Sequence, residues 1–236
     1  IRYHSAERVI EEIYEILSHH PGQEVISIFD DLFAIHKRRL EEIVHLIRAE
    51  KLHHRVSFIS HAKSSCFDED IAKLLKLMNS SMVIFGFESG SDRIVKYLKD
   101  KHSSIEKNQR AIDICHKYNL IAGGYFIIGS PMETEQELAQ TYWFIRQNNP
   151  PIRTSGTFFL TPLPGTVYWE EALKAGRVTN KMEDWSILDF TDLDKWGQQI
   201  FANEHYSFET LLFAHQQFEE MLQINSLNPK PKNRET

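Results

Sequence analysis

Five short β-branched or aromatic runs alternate with amphipathic stretches over residues 1–176, and few architectures accommodate that order. The runs are EVISIFD (24–30), RVSFIS (55–60), MVIFGFE (82–88), LIAGGYFIIG (120–129) and SGTFFLT (155–161). Their starts lie roughly 25–40 residues apart, the spacing that a strand, a crossover helix and a parallel strand require. The intervening stretches carry helical periodicity: Val9, Ile10, Ile13, Ile16 and Leu17 ahead of Pro21-Gly22, then Leu40, Ile43, Val44 and Ile47, then Ile71, Leu74, Leu75 and Met78 behind Asp68. A short helix over about 90–98 and a longer one from about 104 follow the third run. Ser103 with Glu106, and Thr134 with Glu137, have capping-box spacing. The helix after Thr134 stops at Pro150-Pro151, and a last one follows Pro162-Leu163-Pro164-Gly165-Thr166 and ends near Gly176. The pattern predicts an α/β fold with a parallel sheet, open or curled towards a barrel.

The alternation stops at Gly176. Residues 177–206 read as irregular and contain Trp185 and Trp196; a helix is expected over about 207–223, and the tail from 225 reads as disordered. The 27 basic against 33 acidic residues leave a net charge of -6, which gives no support for a nucleic-acid or anionic-membrane partner. No apolar run approaches the roughly 20 residues of a membrane-spanning helix. Cys66 and Cys115 are far apart and lack metal-ligand spacing. Disulfide scaffolding is not expected, and a cytoplasmic location is. The chain opens on Ile1, helix-like within a few residues, and reads as a piece of something longer.

In parallel α/β folds, functional groups gather at the carboxyl ends of the strands. Here those ends supply Asp30-Asp31, then Ser60-His61 with Lys63 beyond, then Glu88-Ser89. The fourth gives Gly129-Ser130-Pro131-Met132-Glu133-Thr134, and the fifth Thr161 with the Pro-Leu-Pro-Gly-Thr turn. Each group has an ordinary structural reading as well. An Asp after a strand forms turns, Glu88 complements a helix dipole, and Glu133 and Thr134 serve as caps. The histidine pairs His19-His20 and His53-His54 fall at helix ends, where solvated or capping roles are expected.

The succession SAERVIEEI, FDD.F, FGFESGSD, YFIIGSPMET and PLPGT, in that order and spacing, resembles the radical S-adenosylmethionine (radical SAM) superfamily, and within it the branch often fused to a cobalamin-binding domain. The resemblance covers about residues 1–176. It implies a partial (βα)6 TIM-like barrel, here strands 2–6 of the family fold without the first, with a C-terminal helical extension over 177–224. It also implies S-adenosylmethionine and a [4Fe–4S] cluster as cofactors, with cobalamin in an upstream domain, and an oxidoreductase-type electron input from a partner such as flavodoxin or ferredoxin. Reductive cleavage of the sulfonium would yield a 5′-deoxyadenosyl radical that acts on a small-molecule or other substrate, which the sequence does not name. By the same resemblance Asp30 and Asp31 lie near the methionine end of the cofactor, and His61 is a further cofactor-binding residue. Glu88 and Ser89 face the ribose or methionine moiety, Tyr125, Ile127 and Gly129 line the adenine, and Leu163 and Pro164 close the pocket.

The sequence departs from the family pattern where the chemistry is most demanding. The family's Cys-x-x-x-Cys-x-x-Cys loop is absent, and Cys66 with Cys115 supplies neither the number nor the spacing of thiolates that a [4Fe–4S] cluster needs. Truncation or disorder upstream of Ile1 would explain both the missing loop and the missing first strand, and these residues alone are expected to be inactive. Met132 stands where relatives usually have Gly, and Lys63 where Arg is common. Two other readings remain open on the residues: a metal-dependent β/α-barrel hydrolase or lyase using Asp30 or Asp31, His61 and Glu88, and a non-catalytic domain that binds S-adenosylmethionine or a partner protein.

Overall fold

The structure is a computed structural model that describes residues 3–30, 33–148, 152–189 and 200–227, without the side chains of 154, 155 and 222–227. Asp31, Trp196 and the expected tail beyond 227 lie outside the described residues. The elements run α1 (Ala6–His19), β1 (Val25–Ile28), α2 (Lys37–Ala49), β2 (Ser57–Ala62), α3 (Glu69–Leu77), β3 (Ser80–Glu88), α4 (Asp92–Leu98) and α5 (Ile105–Lys117). They continue with β4 (Ile121–Ile128), α6 (Glu135–Gln147), β5 (Ile152–Phe159), α7 (Val167–Lys174) and α8 (Phe208–Leu227), with short 3-10 turns between.

The five strands form one sheet in the order β1-β2-β3-β4-β5. Pairing is parallel from β1 to β2, with Ser27 opposite Ile59, and from β2 to β3, with His61 opposite Ile84 and a register shift between Phe58 and Ile59. Strict sequence order has a physical consequence. Right-handed crossovers place successive helices on one face of the sheet unless the strand order reverses. No reversal occurs here.

Burial shows the same asymmetry within strands. In β1 the side chains of Val25 and Ser27 are exposed, as is Phe29 just beyond, whereas Ile26 between them is buried. In β2 Phe58 and Ser60 are buried, and Ser57, Ile59 and His61 are half-buried. A parallel sheet covered on both faces would read as buried throughout.

The chain divides into two compact units. The first comprises 1–87, 102–124 and 150–155; the second comprises 88–101, 125–149 and 156–236. In the first, α1 buries Ala6, Ile10, Ile13 and Leu17, and α2 buries Leu40, Ile43, Val44 and Ile47. Phe67 meets Phe85 edge-on at 5.1 Å, and Phe85 stacks on Phe87 at 5.3 Å. Asn108 of α5 donates to the Phe87 carbonyl (3.0 Å) and accepts from the Ser64 hydroxyl (2.6 Å), a satisfied polar tie inside this core. In the second unit Phe126 faces Phe144 at 6.2 Å, and Trp169, Leu211 and Phe218 are buried.

Several boundaries differ from expectation for local reasons. The N-cap of α5 is Ser104, whose hydroxyl accepts from the Lys107 amide, so the Ser103–Glu106 box does not form and Ser103 is buried. Strand β5 starts at Ile152, within a Pro-Pro flank that reads as a breaker. Helix α8 continues to Leu227, into the segment expected to be disordered; nothing between 208 and 227 is Gly or Pro, and Pro229 is the first residue barred from continuing it.

Candidate functional site

In the first unit, the strand ends present Asp30 and His61. An Asp30 carboxylate oxygen lies 3.9 Å from Arg39 Nη1, and the Asp30 carbonyl accepts from the Phe33 amide. His61, which lies within β2, has Nδ1 3.2 Å from the Ile28 carbonyl. A carbonyl only accepts, so Nδ1 is the donor in that contact. The ring of Phe29 sits 5.5 Å from that of His61 and is 84% exposed.

In the second unit, Glu88 ends β3 with a left-handed backbone (φ 65°). That conformation costs an L-residue roughly 1–2 kcal/mol. Its carboxylate forms an ion pair with Lys99 at 3.2 Å. Ser89 is fully buried: its hydroxyl meets Thr141 Oγ1 at 3.0 Å and accepts from the Ser91 amide at 3.0 Å. Thr141 Oγ1 also accepts from the Gly90 amide and donates to the Glu137 carbonyl, so the turn after β3 is tied to α6. A Cβ at Gly90 would lie 2.4 Å from the backbone oxygen of Gln140, so only glycine permits this approach.

Glu137 gathers the rest. Its Oε1 accepts from the Ser91 hydroxyl (2.9 Å) and Arg93 Nε (2.8 Å); its Oε2 accepts from Arg93 Nη2 and from the amide and hydroxyl of Thr134, each 3.0 Å. The reciprocal bond from the Glu137 amide to Thr134 Oγ1 completes the capping box expected from the sequence. Burial works against this charge, yet the Arg93 guanidinium and the Thr134 and Ser91 donors overcome it and hold the carboxyl down at about 2.

Four residues earlier the balance is reversed. Glu133 is fully buried, and burial pushes its carboxyl up to about 7 despite donors from the Tyr206 hydroxyl (2.6 Å) and the Gly129 amide (2.8 Å), both to Oε2. Its Oε1 and the Ser130 hydroxyl have no hydrogen-bond partner among the described residues. Asn203 donates to the carbonyls of both Ser130 (2.6 Å) and Glu133 (2.7 Å), and its own carbonyl accepts from the amides of His205 and Tyr206. Gly129 turns with φ 86°, and a Cβ there would meet Leu211 at 3.2 Å.

In the strands leading to these turns, Tyr125 and Ile127 are half-buried while Phe126 and Ile128 are buried, and Tyr125 lies 5.7 Å from the half-buried Phe158. Leu163 and Pro164 are exposed in a turn that Thr166 closes by capping α7 and donating to the Leu163 carbonyl at 2.7 Å. Trp185 stacks on Trp169 at 5.9 Å, and Phe208, at the start of α8, lies 5.7 Å from Phe201.

The structure therefore brings Asp30 and His61 to strand ends in one unit, and Glu88, Ser89, Tyr125, Ile127, Gly129, Leu163 and Pro164 into the other. Among the described residues, no three His, Cys, Asp or Glu side chains gather as a metal site. Residue type alone missed Asn203, Tyr206 and Thr141. Thr141 carried a signal, standing one helical turn after Glu137 on α6; Asn203 and Tyr206 stand in a segment without periodicity.

Cofactor fit can be judged from these residues. A [4Fe–4S] cluster takes three or four thiolates. Of the two cysteines, Cys66 is exposed and Cys115 is buried in α5 with its thiol pushed up to about 12, so these residues do not fit a cluster. Tyr125 and Ile127 are half-exposed and alternate with buried neighbours along β4 ahead of the braced Gly129 turn.

Residues 1–145 match the family described as the Radical SAM superfamily. An uncharacterised methyltransferase of Pyrococcus horikoshii is 36% identical over 172 residues, 73% of this chain and 36% of that protein. A bacteriochlorophyllide d methyltransferase of Chlorobaculum tepidum is 31% identical over 102 residues, 43% of this chain and 22% of its own length. The chain thus spans about a third or less of these relatives. Among solved structures, the radical S-adenosylmethionine methyltransferase TsrM of Kitasatospora setae, with cobalamin and a [4Fe–4S] cluster bound, superposes with a TM-score of 0.53 at 14% identity. The match covers 66% of this chain and 28% of that one, and shows a shared fold.

Proposed function

The chain belongs to the radical SAM superfamily, and from that premise we propose that it is the S-adenosylmethionine-holding part of a radical SAM methyltransferase. The family uses S-adenosylmethionine and a [4Fe–4S] cluster. Bound here, S-adenosylmethionine supplies an activated sulfonium carbon–sulfur bond; what these residues contribute is position and exclusion of water. The thiolates for a cluster are not among them, and no step through a cluster is assigned to them.

The observation that carries the reading is the half-exposed, alternating face of the strands where they run into braced turns. On this reading Tyr125 and Ile127 hold the adenine by apolar contact, and the Gly129 turn presents backbone groups to it. For the first unit, the family resemblance by itself supports a proposed role of Asp30 and Asp31 as carboxylate for the methionine ammonium, and of His61 in cofactor binding. Glu88, held by Lys99 in a left-handed backbone, faces the ribose hydroxyls. Ser89 acts at one remove, because its hydroxyl is engaged with Thr141 and Ser91. Leu163 and Pro164 close the pocket. Methyl transfer follows the names of the relatives; the methyl acceptor, an upstream cobalamin domain, an electron donor such as flavodoxin or ferredoxin, and a cytoplasmic location belong to the same proposal. Among the described residues no helix is long and apolar enough to cross a membrane.

Calorimetric titration with S-adenosylhomocysteine tests the reading. Tyr125→Ala is expected to weaken binding roughly tenfold or more. A wild-type chain that binds neither S-adenosylhomocysteine nor S-adenosylmethionine at millimolar concentration overturns it.

A further inference from the structure

The segment from Asn203 to Leu211 reaches the turn after β4 through three separate contacts. Asn203 bridges the Ser130 and Glu133 carbonyls, Tyr206 donates to the buried Glu133 carboxyl, and Leu211 lies 3.2 Å from where a Cβ on Gly129 would stand. Glu133 in turn accepts from the Gly129 amide. The phenol of Tyr206 therefore acts on the Gly129 backbone through a single shared carboxylate oxygen.

We propose that Tyr206 and Asn203 are positioning residues of the S-adenosylmethionine site, setting through Glu133 the Gly129–Thr134 backbone on which the adenine rests. The inference rests on the cofactor reading above. It makes the C-terminal segment part of cofactor binding in its own right.

The linkage has a protonation signature. Among the described residues, the charged and titratable groups around Glu133 are Tyr206 on the C-terminal segment, Glu137 on α6 and Arg93 on α4. The Tyr206 donor favours the charged carboxylate, so deleting it moves the Glu133 titration to higher pH; fixing the side chain as neutral removes the titration. A purely structural loss would shift neither.

The test measures S-adenosylmethionine affinity at several pH values, with amide exchange at Gly129, for wild type, Tyr206→Phe, Asn203→Ala and Glu133→Gln. Tyr206→Phe deletes one oxygen and keeps the ring. It is expected to bind about tenfold more weakly, to exchange the Gly129 amide faster, and to move the inflection of the affinity profile to higher pH. Glu133→Gln is expected to flatten the profile. Asn203→Ala, which leaves the Glu133 carboxyl untouched, is expected to weaken binding without moving the inflection, and it decides the matter should Tyr206→Phe not fold. Wild-type affinity in both Tyr206→Phe and Asn203→Ala overturns the inference alone, because the cofactor still binds. Weaker binding with unchanged Gly129 exchange overturns it too, since the effect would not run through the turn. A wild-type chain that does not bind S-adenosylmethionine overturns the cofactor reading and the inference together.

Discussion

The strand ends of the two units are furnished in different ways. In the first unit, Asp30 sits at ion-pair distance from one guanidinium, and His61 leans on a backbone carbonyl beside an exposed phenylalanine. In the second, the turns after β3 and β4 are stitched to α6 and to the C-terminal segment through two carboxylates that receive seven donor contacts from named partners, five on Glu137 and two on Glu133. The difference separates two uses of polar residues at strand ends. Side chains that tie turns to distant elements define a shape; on the proposed reading, those on a half-exposed face meet a ligand.

Substitutions can break that distinction. The largest loss of stability is expected at Glu137. Glu137→Ala strands the buried Ser91 hydroxyl and the Thr134 donors and releases the half-exposed Arg93 guanidinium, a change of about 3 kcal/mol summed over these lost hydrogen bonds, measured by urea unfolding. A loss below about 1 kcal/mol would show that the network is ornamental. Close behind is Gly90→Ala, whose Cβ would meet the Gln140 backbone at 2.4 Å, inside any tolerable contact. An expected cost of about 3 kcal/mol follows from the rigid partner.

The two glutamates also predict opposite limbs of a stability–pH curve. Folded Glu137 titrates at about 2 against its ordinary 4.5, so its contribution is fully present above 4.5 and is lost as pH falls from there towards 2. Folded Glu133 titrates at about 7 against 4.5, so the folded state keeps a proton that the unfolded chain sheds. Stability therefore falls as pH rises from 4.5 to about 7 and is level beyond, a change on the order of 3 kcal/mol. Thermal unfolding across pH is expected to show Glu133→Gln flattening the upper limb and Glu137→Gln the lower one. The smallest effects on stability belong to the first unit: Phe29→Ser is expected to alter it by no more than about 0.5 kcal/mol, because the ring is 84% exposed. Loss of cofactor affinity in that variant, with stability unchanged, would sharpen the contrast between the units.

The sheet was readable from sequence because apolar periodicity is a local signal: all five strands form, β5 displaced to Ile152–Phe159, and the Thr134–Glu137 box stands where the pattern put it. Site roles were less readable. Ser89 and Glu133 look like ligand groups by type and position, yet one is engaged with Thr141 and the other is enclosed by Tyr206 and Gly129. Their partners lie 52 and 73 residues away, and nothing in the local pattern marks a hydrogen bond at that range. Ser103 failed as a cap for a different reason: its neighbour Ser104 is the same N-cap residue type, and it caps α5 without a box partner at Lys107 while Ser103 is buried.

The separation between Glu133 and Tyr206 also sets an order of events during synthesis. A ribosome adds roughly 5–20 residues each second, so the turn after β4 leaves it several seconds before Tyr206 exists. Throughout that interval the Glu133 carboxyl lacks its phenol, and the bridge from Asn203 to the turn is unmade. A nascent chain must keep this corner hydrated or loosely folded, and it closes only when the later segment arrives. The middle of the protein is thus finished from its far side, and a pause in translation between 134 and 206 is where a half-built turn would be most exposed to a wrong partner.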